Sequence, residues 1–177
     1  MLETELADVP GVGIQLGNDR AAVVTDTNSG RACIEAVLEC EPQEVFELLT
    51  DYENLPSHIV GLQEATFLGK ANGASSVQFT MKLPFPIGRV CWTNLIEASE
   101  CDGTYKIEWS LVEGDLSACN GSIVLAPAEG LPRRTKASYQ IHVSQKSRIP
   151  KRAERMAVNW LLPRVVRRLC AKLESAV

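Results

Sequence analysis

The chain has 177 residues, of which 45% are hydrophobic and 23% are charged, and its formal net charge is −4. These values are typical of a globular domain and exclude a largely disordered chain. No apolar run approaches the roughly 18 residues of a membrane-spanning helix, and the acidic start MLETELADVP lacks the parts of a signal peptide. The sequence therefore predicts a cytoplasmic protein.

The cysteines and histidines give no metal-binding pattern. No two cysteines have the C-x-x-C spacing of zinc or redox sites, and the chain has two histidines. We predict reduced thiols, no metal and no cofactor. The cysteines are Cys33, Cys40, Cys91, Cys101, Cys119 and Cys170.

The first regular pattern in the chain is an alternation of apolar and polar residues from Arg31 onward. Ala32, Ile34, Ala36 and Leu38 share one face, which predicts a half-buried strand. We expect the domain to span residues 31–177. Residues 1–30 are predicted to be an N-terminal extension, with a small hairpin around Gly17 and Asn18.

Two short helices are predicted to follow this strand. Pro42 suits the first position of a helix, and acidic Glu44 suits its first turn. The helix is expected to stop before Pro56. A second helical piece is predicted over 57–60, with Gly61 ending it.

Several antiparallel strands are predicted between residue 62 and residue 145. Turn sequences at 72–73, 102–103 and 113–115 separate segments that alternate with period two, so one face of the sheet is apolar and the other is wet. The segment 116–125 is ambiguous. There Cys119, Ile123 and Leu125 compete with Ala118, Asn120 and Val124 for the inner face.

A final helix is predicted to begin at Pro150 and to kink at Pro163. Residues 133–177 hold 12 of the 18 Lys and Arg residues of the chain and two acidic residues. One hypothesis is that the basic face contacts an anionic membrane, an acidic partner or nucleic acid; the other is that it is a solvated face that balances an acidic sheet. The basic face consists of Arg164, Arg167, Arg168 and Lys172.

Particular stretches of the sequence resemble a known family. They are EVFELLTDYENLPSHIVGL at 44–62, the segment from Gly121 to Pro127, Thr135 leading into Tyr139, and Pro150 ahead of the long helix. Over residues 31–175 the chain is similar to the polyketide cyclase/dehydrase and lipid-transport family of the START-like (SRPBCC) superfamily, near the coenzyme Q-binding START-like proteins.

The resemblance implies an α+β helix-grip fold. In this fold a curved antiparallel sheet wraps around a long C-terminal helix, and two short helices follow the first strand. Members of the family carry lipids, quinones or other hydrophobic molecules, or act as polyketide aromatase/cyclases, so the resemblance leaves the function open between binding and catalysis.

A long concave sheet is wider than one helix, and the space left over predicts an apolar ligand pocket. Plain core packing is the alternative for each residue of the inner face. The candidate pocket residues are Phe79, Met81, Trp92, Asn94, Tyr105, Trp109, Tyr139, Met156 and Trp160.

The segment Pro84, Phe85 and Pro86 restricts the backbone and has an apolar tip, which favours an entrance lip over the pocket. A buried hairpin turn is the alternative.

Three hypotheses of function follow. The first is binding or transport of a hydrophobic small molecule in the pocket. The second is an aromatase/cyclase or dehydratase, but no cluster of acid, base and nucleophile is evident, so we name no catalytic residue. The third is an interaction module that docks through its basic helix. We expect no nucleic-acid binding, because exposed aromatic residues are not interleaved with the basic ones.

Overall fold

A computed structural model gives the structure of the chain and describes residues 12–15, 21–26, 30–83, 85 and 87–146. The predicted C-terminal helix, with Met156, Trp160 and the four basic residues, lies outside the described residues, as do Pro84 and Pro86. The strands are β1 (Val12–Gln15), β2 (Ala21–Asp26), β3 (Arg31–Leu38), β4 (Leu62–Ala71), β5 (Ala74–Leu83), β6 (Gly88–Cys101), β7 (Thr104–Gly114), β8 (Leu116–Pro127) and β9 (Thr135–Gln145), and the helices are α1 (Pro42–Thr50) and α2 (Leu55–His58).

All strands that the structure describes belong to one antiparallel sheet with the order β1-β2-β3-β9-β8-β7-β6-β5-β4. The strands from β4 to β9 form a meander, and β9 returns to pair with β3. The chain between β3 and β4 must therefore cross the sheet to its far edge. α1 contacts β7 and β8 along this path, and α2 contacts β4.

Two tight turns fix the register of the meander. Asn72 and Gly73 have φ values of 52° and 85°, and Asp102 and Gly103 have φ values of 50° and 74°. Two consecutive residues with positive φ match the twist of the flanking strands, and Asn-Gly and Asp-Gly adopt this conformation at low cost. The hairpins predicted at these positions are confirmed.

The helices differ from the prediction in one respect. α1 begins at Pro42 as expected, and the Glu41 N–H donates to the Glu44 carboxylate at 2.9 Å. The second helix, however, begins at Leu55 rather than at residue 57, after a 3-10 turn at Tyr52–Asn54. Pro56 is tolerated because it lies in the first turn, where a backbone N–H has no partner within the helix.

The inner face of the sheet contains the residues that the alternation predicts. Phe79 pairs with Trp92, Ile96 with Trp109 and Ile123 with Tyr139, so the side chains of each pair lie on the same face. β8 is no longer ambiguous, because Cys119 and Leu125 are 4% and 0% exposed.

The outer face is not uniformly wet, contrary to the prediction. Thr80 and Thr93 are both buried there. The Thr80 hydroxyl is 3.8 Å from the Cys91 sulfur across the strand pair, and Thr93 lies between Gln78 and Glu113 in the register. Short β-branched side chains between longer neighbours are shielded from solvent even on an exposed face.

Among the described residues, the inner face has three apolar clusters, and the two short helices cover two of them. Phe46 and Leu49 of α1 pack on a cluster around Leu125 and on a second one around Val77. The third cluster contains Val90, Leu116 and Cys119, and its described members include no residue of α1 or α2. We call the part of the inner face around this third cluster the open end.

Candidate ligand-binding site

Two pairs of aromatic side chains form a wall on the inner face, and Trp92 and Trp109 of this wall also border the open end. The rings of Phe79 and Trp92 have centroids 5.5 Å apart, and so do those of Trp109 and Tyr139. The planes within the pairs are inclined by 29° and 32°. Such offset and tilted arrangements are favourable for aromatic side chains and present broad apolar surfaces.

The absence of a side chain at Gly121 leaves room for the Trp109 ring. A Cβ atom at residue 121 would overlap the six-membered ring of Trp109 and the backbone oxygen of Gln140. The indole therefore lies directly against the backbone of β8, where other residues would place a side chain. The glycine thus determines the position of one aromatic wall.

The corner between β7 and β8 bends the sheet at the open end. Gly114 has a φ of 127°, and a Cβ there would overlap the backbone of Trp92. The backbone N–H of Asp115 donates to the Cys91 oxygen at 2.8 Å, and its carboxylate accepts from the Cys91 N–H at 2.8 Å. This corner is therefore bonded directly to β6.

The bend brings β8 into contact with β6, although β7 lies between them in the sheet. Two strands separated by a third are about 9.6 Å apart in a flat sheet. Here the Asn94 side-chain N–H of β6 donates to the Cys119 sulfur of β8 at 3.6 Å. Since both side chains lie on the inner face, the curvature creates a polar contact within an apolar wall.

Two polar atoms in this wall lack hydrogen-bond partners among the described residues. Asn94 is 4% exposed. Within the described part of the chain, its side-chain oxygen and the indole nitrogen of Trp92 are buried and have no hydrogen-bond partner. A buried polar group without a partner costs roughly 1–3 kcal/mol.

The titratable groups of this wall are held in their neutral forms. Burial raises the pKa of the Cys119 thiol, and the nearby Asn94 and Trp92 N–H groups lower it in part. Burial also raises the pKa of the Tyr139 hydroxyl, and the neighbouring Cys119 adds to this effect. Cys119 therefore remains a thiol at neutral pH, which is a poor nucleophile.

The predicted pocket residues divide into two groups. Phe79, Met81, Trp92 and Trp109 belong to one apolar cluster, with Asn94 beside them in the strand. Tyr105, in contrast, lies away from this cluster, and its ring centroid is 4.8 Å from that of Phe46 in α1. The role of these residues in binding stays a prediction.

Phe85 is 92% exposed at the tip of the β5–β6 connection. The flanking Leu83 and Ile87 are partly buried against the third cluster. Phe85 therefore lies between two residues that pack at the open end of the sheet.

Cys119 was missed as a site residue by the sequence analysis. Cys119 alternates in step with Ile123 and Leu125, which would place it on the inner face. In the sequence, however, Ala118, Asn120 and Val124 fit that face equally well. Its contact with Asn94 joins residues 25 positions apart and depends on the bend of the sheet.

The described residues contain no group of three or more His, Cys, Asp or Glu side chains arranged to hold a metal ion. No helix among them is long and apolar enough to cross a membrane.

A family model described as polyketide cyclase/dehydrase and lipid transport matches residues 38–170. The chain belongs to this family. The match covers most of the chain and includes β4 to β9, which carry the aromatic wall. The family membership predicted from the sequence is confirmed, and no curated protein sequence matches the chain significantly.

Several solved structures share the fold of this chain. A STAR-related lipid transfer protein from Xanthomonas axonopodis has a TM-score of 0.75 and 14% identity, covering 93% of this chain and 98% of that one. Human STARD10 has a TM-score of 0.74 and 12% identity, covering 95% and 74%. The ZhuI aromatase/cyclase from Streptomyces has a TM-score of 0.66 and 13% identity, covering 82% and 92%. The predicted helix-grip fold is thereby confirmed.

We predict that Gly121→Ala destabilises this family member by about 1–3 kcal/mol, because the added methyl group forces the Trp109 ring or the β9 backbone to move. Ser122→Ala, at the next position of β8, is the control and should change the free energy of unfolding by less than about 0.5 kcal/mol. Urea unfolding measures both. Equal stabilities of Gly121→Ala and the parent would contradict the described packing.

We predict that Tyr139→Phe makes the fold less sensitive to alkali. The unfolded tyrosine ionises near its ordinary pKa of 10.0, whereas the folded one keeps its proton to higher pH. The unfolded state therefore gains stability as the pH rises past 10, and the variant should lose about 1.4 kcal/mol less per pH unit there. Urea unfolding at pH 8, 10 and 11 measures this difference. Parallel pH profiles would show that Tyr139 is not buried as described.

Proposed function

We propose that this domain binds and carries a hydrophobic small molecule, such as a lipid, a quinone or a polyketide-like compound, on the inner face of the sheet at the open end. The observation that carries the proposal is the wall of two aromatic pairs, in which Trp92 and Trp109 pack against the third cluster, whose described members include no residue of α1 or α2. The predicted C-terminal helix would supply the opposite wall. A lipid transfer protein is among the structures that share the fold.

The size of the hydrophobic contribution supports binding without any catalytic group. Burying about 300 Å² of apolar ligand surface at roughly 25 cal/mol per Å² contributes on the order of 7 kcal/mol before the costs of association. Aromatic walls make broad contacts with flat or isoprenoid groups. Micromolar affinity is therefore within reach of this surface alone.

An aromatase/cyclase activity has less support. Its basis is the shared fold with ZhuI. General acid-base catalysis requires a group that gains or loses a proton near the working pH. On the described part of this wall, burial moves the pKa values of Cys119 and Tyr139 upward, away from neutrality. Binding is the function that the chemistry of the wall favours.

Phe85 has a place in the same proposal. We propose that the segment from Pro84 to Pro86 forms an entrance lip, because Phe85 is exposed while Leu83 and Ile87 fix the segment to the third cluster. An exposed aromatic tip suits contact with the ligand or with a membrane during transfer. The basic surface at Arg164, Arg167, Arg168 and Lys172 and the cytoplasmic location stay predictions.

The proposal predicts that the domain binds the neutral fluorescent probe N-phenyl-1-naphthylamine with micromolar affinity. Trp109→Gln should weaken binding by about tenfold or more, because an amide replaces the apolar ring in the wall. Met81→Gln makes the same polar change on β5 and should weaken binding as well. Fluorescence titration measures the affinities, and thermal melting verifies that each variant is folded.

Val112→Gln is the matched control, because Val112 lies on the same strand as Trp109 but is 57% exposed. Its affinity should equal that of the parent. Absence of probe binding by the parent would refute the proposal. Equal affinities of the parent and of a folded Trp109→Gln or Met81→Gln variant would show that the site lies elsewhere.

A further inference from the structure

Asn94 is unusual because it is a buried polar side chain on an otherwise apolar wall. On this face Asn94 lies opposite Val77 of β5 and Leu111 of β7. The side-chain N–H of Asn94 donates to the Cys119 sulfur, but the side-chain oxygen has no hydrogen-bond partner among the described residues. An apolar residue of similar size would avoid the cost of burying that oxygen. The wall therefore contains an acceptor that fits a donor from outside the described chain.

Trp92 supplies the complementary group. It lies two residues before Asn94 on β6 and on the same face, and its buried indole N–H, although near enough to Cys119 to lower the pKa of that thiol, forms no hydrogen bond of regular geometry within the part of the chain described. The rise of a strand places the Cα atoms of the two residues about 6.6 Å apart. Side chains two residues apart on one face of a strand are neighbours, so a single small polar group can contact both.

We propose that Trp92 and Asn94 bind the hydroxyl group of a neutral alcohol or phenol whose apolar body lies on the aromatic wall. The hydroxyl donates its hydrogen to the Asn94 side-chain oxygen and accepts a hydrogen from the Trp92 indole. This inference rests on the proposed function and narrows its ligand class to neutral, hydroxyl-bearing hydrophobic molecules.

The donor and acceptor types disfavour ketones and carboxylates as the polar end of the ligand. A ketone oxygen accepts from Trp92 but leaves the Asn94 oxygen without a donor. A carboxylate would face the Asn94 oxygen and would need a cation to offset its burial. The Lys and Arg side chains within the described ranges are exposed, except Arg134, which is half-buried and pairs with Glu39 at 3.0 Å. A hydroxyl satisfies both atoms and carries no charge.

A matched pair of probes tests the hydroxyl directly. 1-Naphthol and 1-methylnaphthalene have nearly the same shape, and only the first carries a hydroxyl. Asn94→Leu should weaken binding of 1-naphthol by about tenfold and leave binding of 1-methylnaphthalene within about twofold, because only the first probe uses the amide oxygen. Trp92→Phe, which removes the indole N–H, should change the affinity ratio in the same direction.

Thr93→Val is the control, because Thr93 lies between the two residues on β6 and is as buried as Asn94, at 4% exposure, but faces the other side. It should leave the ratio of the two affinities unchanged. Equilibrium dialysis of the full chain measures all of them.

The melting temperature separates a binding role from a structural one. If the Asn94 oxygen has no partner in the free protein, Asn94→Leu should keep the melting temperature within about 2 °C of the parent or raise it. A larger decrease would show that Asn94 serves the fold and would overturn the inference.

The outcomes distinguish the two proposals. If the parent binds neither probe, the proposed function fails. If both probes bind and Asn94→Leu leaves their affinity ratio unchanged, the hydroxyl site is wrong, while the proposed carrier function stands.

Discussion

The architecture of the candidate site depends on the bonded corner between β7 and β8. Gly114 lets this corner approach the backbone of β6, and Asp115 bonds to Cys91 through both its backbone and its carboxylate. Asp115 also accepts from the backbone N–H of Lys146 at the end of β9. Because the corner joins β6 and β9, the sheet is bent strongly at this end. The bend places Cys119 against Asn94 and next to Trp92 and Trp109, in the third cluster, whose described members include no residue of the two short helices.

The local features of the fold could be predicted from the sequence, because they depend on neighbouring residues. Period-two alternation predicts which residues of β3, β5, β6, β7 and β9 lie on the inner face. Asn72 and Asp102, each followed by a glycine, predict the hairpin turns. The parity of β8 could not be predicted, since small and polar residues occur on both of its faces. The burial of Thr80 and Thr93 and the contact between Asn94 and Cys119 depend on neighbouring strands and on the bend, which no local pattern encodes.

Family membership leaves the function open between transport and catalysis, whereas the chemistry of the wall favours one of the two. The family includes lipid transport and cyclase activities in its description, so membership alone does not choose between them. The wall favours binding, because burial keeps its thiol and its phenol neutral. The Trp92 indole N–H and the Asn94 side-chain oxygen, which form no hydrogen bond among the described residues, favour a ligand with a hydroxyl at its polar end. In this account, the apolar wall provides affinity and two hydrogen-bonding groups provide orientation.

The central claim is that a hydrophobic molecule lies on the inner face at the open end. The chain has three tryptophans, so a ¹⁵N-labelled sample gives three indole N–H signals. Titration with 1-naphthol should shift the Trp92 and Trp109 signals, assigned from Trp92→Phe and Trp109→Phe samples, and should give intermolecular nuclear Overhauser effects to both indoles. Saturable binding that leaves both signals unchanged would contradict the account.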